Sequence, residues 1–201
     1  GAMDPQFMKK VAVIDIEGTL TDFEFWREMA RITGKREIEE LLEKGLSGEV
    51  EWLDSLLKRV GLIRGIDEGT FLRTREKVNV SPEARELVET LREKGFKVVL
   101  ISGSFEEVLE PFKELGDEFM ANRAIFEDGK FQGIRLRFRD KGEFLKRFRD
   151  GFILAMGDGY ADAKMFERAD MGIAVGREIP GADLLVKDLK ELVDFIKNLK
   201  P

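Results

Sequence analysis

Val11-Ala12-Val13-Ile14-Asp15-Ile16-Glu17-Gly18-Thr19-Leu20-Thr21 is an apolar run that ends in two carboxylates, a glycine and hydroxyls. A short apolar run bounded by a turn signal reads as a strand buried on both faces, as in parallel sheets. Open parallel sheets bind ligands beyond the carboxyl ends of their strands. Asp15 and Glu17 therefore stand where chemistry is expected, and their i, i+2 spacing turns both toward one side of the strand end.

Working outward, two more apolar runs end in polar residues. Lys97-Val98-Val99-Leu100-Ile101 leads into Ser102-Gly103-Ser104, and Phe152-Ile153-Leu154-Ala155-Met156 into Gly157-Asp158-Gly159. Shorter strands are predicted over 119–121, 171–175 and 184–186, with an Asp-Gly hairpin signal inside 124–131. Helices are predicted from Ser81-Pro82 to Lys94, over 105–115 and 141–149, from Gly159 to Ala169, and over 189–199. Residues 23–80 hold apolar positions at helical spacing (Trp26, Met29, Ile32; Ile38, Leu41, Leu42; Leu53, Leu56, Leu57, Val60) punctuated by glycines, without a strand. The fold class is α/β: a three-layer Rossmann-like core with a parallel sheet, plus a helical cap inserted after the first strand. Residues 8–21 and 81–201 are assigned to the core and 22–80 to the cap. Residues 1–7 (GAMDPQF) read as an expression-tag remnant ahead of a native Met8.

The alphabet narrows the chemistry. Among 201 residues there is no Cys and no His. That excludes disulfides, thiolate nucleophiles, Ser-His-Asp triads and histidine-ligated zinc. An enzyme made of these residues works with carboxylates, lysine, hydroxyls, backbone amides and hard cations. A net charge of −6 argues against nucleic acid as a partner. The lack of a run of about 20 apolar residues argues against a membrane span. A cytoplasmic location and a monomer or homodimer are the expectations, and the charge-rich composition suits a thermophile. Arg135, Arg137, Arg139 and Lys141 alternate as one exposed face of a strand would.

Collected at one sheet edge, Asp15, Glu17, Asp158 and Asp162 form an acidic pocket beside Lys141, Ser102 and the amide of Gly103. Oxygen ligands without histidine suit Mg²⁺. A phosphate group calls for N–H donors, a hydroxyl and a cation, which Gly103, Ser102 and Lys141 supply, with a helix N-terminus expected just behind Gly103. A carboxylate can attack a phosphoryl group, and Asp15 is the candidate nucleophile. Glu17 then protonates the leaving oxygen and later deprotonates water.

Asp15-Ile16-Glu17-Gly18-Thr19-Leu20-Thr21, Ser102-Gly103-Ser104-Phe105, Lys141-Gly142-Glu143 and Gly157-Asp158-Gly159-Tyr160-Ala161-Asp162 fall in the order of the motifs of the haloacid dehalogenase superfamily. Over nearly all of 8–201 the chain resembles that superfamily's phosphoserine phosphatase-like branch. The resemblance implies a Mg²⁺-dependent phosphomonoester hydrolase that works through an aspartyl-phosphate on Asp15 and takes a small-molecule phosphate ester. Glu17 is implied as general acid/base and, through its carbonyl, as a metal ligand. The resemblance likewise implies that Asp158 binds the metal directly and Asp162 through water, and that Ser102 and Lys141 hold phosphoryl oxygens. In the cap, Glu24 matches a glutamate that receives an ammonium, Arg59 an arginine for a carboxylate, and Trp52 an aromatic position. Two positions depart from the pattern: Glu17 stands where Asp is usual, and Ala161 where Asn is common. Alternative readings are phosphotransfer to an alcohol such as homoserine, or a phosphate-binding or regulatory homologue with weakened turnover.

Overall fold

The computed structural model describes residues 9–148 and 150–200; the expected tag remnant, Met8 and Arg149 lie outside them. Seven strands form one sheet in the order β4-β3-β2-β1-β5-β6-β7. They are β1 (Lys9–Asp15), β2 (Phe96–Phe105), β3 (Glu118–Glu127), β4 (Lys130–Arg135), β5 (Gly151–Gly157), β6 (Met171–Val175) and β7 (Leu184–Val186). Every pairing is parallel except the β3–β4 hairpin, whose Asp128 and Gly129 both take positive φ, as the Asp-Gly signal requires.

The apolar runs are continuous because both faces of the sheet are covered. Ala12, Ile14, Val98, Leu100, Leu154 and Met156 pack toward α5 (Pro82–Glu93) and α8 (Leu189–Asn198), against Leu87, Leu91, Leu192 and Ile196. The alternate residues Val11, Val13, Val99, Ile101, Ile153 and Ala155 pack toward α6 (Lys141–Leu145) and α7 (Ala163–Phe166), against Phe144, Leu145, Met165 and Phe166. Register then aligns the strand ends. Asp15 pairs with Ile101 and Ile14 with Met156, so Ser102, within β2, and Asp158, just past β5, lie beside the end of β1.

Between β1 and α5 lie α1 (Phe25–Thr33), α2 (Arg36–Ser47), α3 (Trp52–Ile63) and α4 (Glu68–Arg73), followed by a 3₁₀ turn over Thr74–Lys77. These helices share a core with the sheet. Phe71 is fully buried, with ring centroids 4.9 Å from Phe25, 5.0 Å from Phe105, 5.2 Å from Phe126 and 4.9 Å from Phe131. The loop after α3 is also laddered onto β4: Gly65 N–H donates to the Phe131 carbonyl and Phe131 N–H to that of Ile66.

Four expectations need correction. The helix over 105–115 is absent. Pairing resumes at Phe105–Asn122, Glu106 N–H donates to the Asn122 carbonyl, and the chain then makes single turns with a 3₁₀ segment at Glu110–Phe112. Pro111 lacks the N–H an α-helix needs there, and the Glu107 carboxylate is taken by the Ala124 N–H. No helix N-terminus therefore backs Gly103. The strand at 119–121 is part of the longer β3. The Arg135-to-Lys141 alternation is not a strand face: β4 stops at Arg135, the Arg137 N–H turns to Asn122 Oδ1, and the Arg137 guanidinium pairs with Glu106. The helices at 141–149 and 159–169 are short: α6 gives way to 3₁₀ at Lys146–Phe148, and 3₁₀ at Tyr160–Asp162 precedes α7.

Since Phe71 joins the helices to both β2 and the hairpin, Phe71→Ala should cost about 3–5 kcal/mol. Urea unfolding followed by far-UV circular dichroism would measure it. A loss below about 1 kcal/mol would mean the ring cluster is not the joint between helices and sheet.

Candidate active site

The strand ends open onto a small cavity of about 60 Å³ between the sheet edge and the helices. All ten sequence-derived candidates line it: Asp15, Glu17, Glu24, Trp52, Arg59, Ser102, Gly103, Lys141, Asp158 and Asp162. Its electrostatic centre is Lys141. Asp140 caps α6 by accepting the Gly142 N–H at 2.7 Å, which sets Lys141 as the first helical residue. The buried Lys141 Nζ donates to Asp15 Oδ1 and to Asp162 Oδ1, each at 2.7 Å. Burial alone would lower the lysine pKa, but the two carboxylates reverse this and hold it above its ordinary value.

Carboxylates exceed cations here. Oxygens of Asp15, Asp158 and Asp162 lie within 4.8 Å of one another. Burial pushes all three up, Asp15 well above the usual carboxylate range and Asp158 and Asp162 to about 6, with Lys141 opposing the rise. Buried anions crowded around one ammonium, all presenting hard oxygen donors, fit a small divalent cation. Close backbone is part of the arrangement. Gly18, at φ +85, leaves its Cβ position to the Asp158 carboxylate, so a side chain there would displace that group. Asp162 Oδ2 accepts the N–H groups of Asp158 and Gly159, each at 3.1 Å.

Opposite this cluster, Glu17 is held at both oxygens. Oε2 accepts the Phe25 N–H at 2.8 Å and Oε1 the Ser102 hydroxyl at 3.3 Å. Burial raises its pKa, with the Phe25 N–H acting against the rise. Ser102 Oγ in turn accepts the Ser104 N–H at 3.0 Å.

On the helical side, Arg59 is 2% exposed and faces inward from α3. Its Nε donates to Ser55 Oγ at 3.1 Å and to the Ser55 carbonyl at 3.2 Å, and its guanidinium lies 4.9 Å from the Trp26 ring centre. Burial lowers its pKa to about 10, against the pull of Glu24 and Glu17, so it remains a cation at neutral pH. Glu24 caps α1 through the Trp26 N–H, and burial followed by the Glu17 charge raises it well above the usual range. Trp52 lies against Gly103, where a Cβ would strike the indole, and stacks on Phe138 with an interplanar angle of 6°.

Residues that sequence reasoning passed over are Trp26, Ser55, Ser104 and Asn122. Ser55 and Arg59 share a helical face, which spacing could have flagged. Trp26 falls on the apolar spacing of α1, which does not distinguish a cavity-lining ring from a core one. Ser104 is buried near the Glu17 carboxylate, and its hydroxyl has no close hydrogen-bond partner among the described residues. Asn122, fully buried in β3, gave no signal beyond a lone amide in a mostly apolar stretch. Ala161 lines the cavity and brings no hydrogen-bonding group. No helix among the described residues is long and apolar enough to cross a membrane.

A family model described as haloacid dehalogenase-like hydrolase matches residues 9–170. The chain is 30% identical to the phosphoserine phosphatase of Methanocaldococcus jannaschii, covering 94% of this chain and 98% of that one. It is 32% identical to the phosphoserine phosphatase of Archaeoglobus fulgidus over 83% of its length, spanning 52% of that longer relative. A solved structure of a phospho-aspartyl intermediate analogue of phosphoserine phosphatase superposes with a TM-score of 0.84 at 29% identity, covering 94% of this chain and 100% of that one.

The raised carboxylates set a pH dependence. Asp158 and Asp162 bind protons more tightly when folded, near pH 6, than at the unfolded value near 3.8, so the folded state holds more protons between these limits. In EDTA, their contribution to stability should be fully present below about pH 4 and lost as pH rises through about 6. Added MgCl₂ should raise the melting temperature more at pH 7.5 than at pH 5, because protons compete for the same oxygens. Equal shifts at both pH values would count against the acidic cluster as the cation site.

Proposed function

This chain belongs to the haloacid dehalogenase-like hydrolases, and from that premise we propose that it hydrolyses small phosphate monoesters through a phosphorylated Asp15, with phosphoserine the first substrate to test. The observation that carries the reading is the buried Lys141 bridge between Asp15 and Asp162, with Ser102 and Gly103 lining the same cavity.

In the first step an Asp15 carboxylate oxygen bonds to phosphorus as the ester P–O bond breaks. Glu17 gives its proton to the departing alcohol oxygen. Burial raises the Glu17 pKa, a direction that suits a proton donor; it raises Asp15 as well, and there the Lys141 ammonium acts to favour the carboxylate. Lys141, the Ser102 hydroxyl and the Gly103 N–H hold the phosphoryl oxygens as charge shifts onto them. In the second step water attacks phosphorus, Glu17 takes the proton, and the Asp15–phosphorus bond breaks to release orthophosphate. Asp15, Asp158 and Asp162, with the Glu17 carbonyl, would hold Mg²⁺. When bound, Mg²⁺ supplies positive charge that offsets repulsion between the carboxylates and an incoming phosphate dianion.

We read residues 22–80 as a cap over a core of 8–21 and 81–201. Arg59 would take a substrate carboxylate and Glu24 an ammonium, a pairing suited to an amino-acid phosphate ester. Trp52 would close the phosphate side by covering Gly103. Transfer to an alcohol acceptor and a turnover-deficient homologue are both less favoured, since the named relatives are phosphatases.

The test is phosphate release with Mg²⁺ over phosphoserine, phosphothreonine, sugar phosphates and nucleotides. Wild type should turn over phosphoserine best and Asp15→Asn should be inactive; retained turnover in the variant would remove Asp15 as nucleophile. Arg59→Ala should raise KM for carboxylate-bearing esters about a hundredfold while sparing the others, as expected on losing a charge-assisted contact of about 2–3 kcal/mol. Uniform loss across all esters would argue for a merely structural arginine.

A further inference from the structure

Asn122 lies outside the cavity, yet it is joined to it by an unbroken series of hydrogen bonds. Its Oδ1 accepts the Arg137 N–H at 2.8 Å, and its Nδ2 donates to the Gly103 carbonyl at 3.0 Å. The Gly103 carbonyl and the Ser104 N–H belong to one rigid peptide plane. That N–H donates to Ser102 Oγ at 3.0 Å, and Ser102 donates onward to Glu17 Oε1.

This segment needs such a hold. It lies where the β2–β3 register shifts between Ile101 and Phe105, so the ladder does not fix it. No helix dipole backs it, because the chain continues as strand and single turns. Asn122 is also well chosen for the task. A fully buried amide with both ends paired is costly to break and so rigid.

We propose that Asn122 is a positioning residue: by gripping the Gly103 carbonyl it orients the 103–104 peptide, whose Ser104 N–H holds Ser102 Oγ, and so aims the Ser102 hydroxyl at the phosphoryl group. This rests on the phosphate-binding role proposed for Ser102. With the Ser104 N–H occupying one Ser102 lone pair, the hydroxyl turns its proton to Glu17 Oε1 on the cavity wall, where an arriving phosphoryl oxygen would compete for it. Without the Asn122 grip, the peptide plane is free to rotate and Ser102 loses its fixed aim. A displacement of about 1 Å in such a group can cost about a hundredfold in rate.

The experiment is a double-mutant cycle on the full chain with Asn122→Ala, Ser102→Ala and the pair, reading kcat/KM for the best ester, inhibition by inorganic phosphate, and melting temperature. Asn122→Ala should lower kcat/KM and weaken phosphate inhibition, each by about tenfold or more. In the Ser102→Ala background the same change should cost less than about threefold, because the group it aims is gone. If Asn122→Ala does not fold, Asn122→Asp carries the test: it keeps the acceptor for Arg137 and has no N–H for Gly103. A folded Asn122 variant with wild-type kinetics would overturn the proposal. So would a loss of the same size in both backgrounds, which would mark a structural residue acting independently of Ser102. If Ser102→Ala alone changes neither kcat/KM nor phosphate inhibition, the assignment of Ser102 falls, and the role of Asn122 falls with it.

Discussion

One ammonium holds the site together. Lys141 brings its charge to Asp15 at the end of β1 and to Asp162 after β5, two carboxylates that would otherwise repel each other in a water-poor space. An unpaired buried cation is expensive, and so is an unpaired buried carboxylate. The arrangement is stable only when all three are present, which makes their mutual geometry narrow. That geometry is set by backbone. Asp140 fixes where α6 begins, and Gly142 lies so close to the Lys164 carbonyl that a Cβ would stand 2.5 Å from it. β1 and β5 are locked by pairing that places Ile14 opposite Met156.

Similar carboxylates acquire different properties around this centre because their neighbours differ. Asp15 feels Lys141 directly and lies near two further acids, whereas Glu17 faces N–H and O–H donors. Glu24 lies near Glu17 and is lowered only in part by Arg59. The cavity therefore has a metal-suited half and a half edged by a fixed guanidinium. Burial raises all of these carboxylates, and what separates them is the partner that acts against it: the Lys141 ammonium at Asp15, N–H and O–H donors at Glu17.

Much of this was legible in the sequence because parallel strands buried on both faces leave unmistakable apolar runs. The residues directly after each run fall at one sheet edge by construction. Asp15, Ser102 and Asp158 were found that way. The segment after Ser102 departs from its helical spacing because strand pairing at Phe105 wins, a tertiary contact that no local pattern reports. Arg59 was indistinct for another reason. In a stretch rich in Glu and Arg, an inward arginine has the same spacing as a solvated one, and only the pairing with Ser55 and Trp26 separates them. Asn122 left no trace, since its partners are backbone groups from two distant segments.

Glu17 is the position where sequence and structure together say more than either alone. As a departure from the usual Asp it suggests a misplaced acid. In the structure the longer side chain spans from the strand end to the start of α1, where helix N–H groups have no partners within the helix. Glu24 satisfies the Trp26 N–H and Glu17 the Phe25 N–H, while the other Glu17 oxygen meets Ser102. A side chain shorter by one methylene, about 1.5 Å, would be hard pressed to hold both contacts without a shift of the backbone. The extra length thus ties the candidate acid to the helical segment above and to the Ser102 hydroxyl below. The orientation of that acid is consequently a property of the packed pair, helices on sheet, and not of the strand end alone.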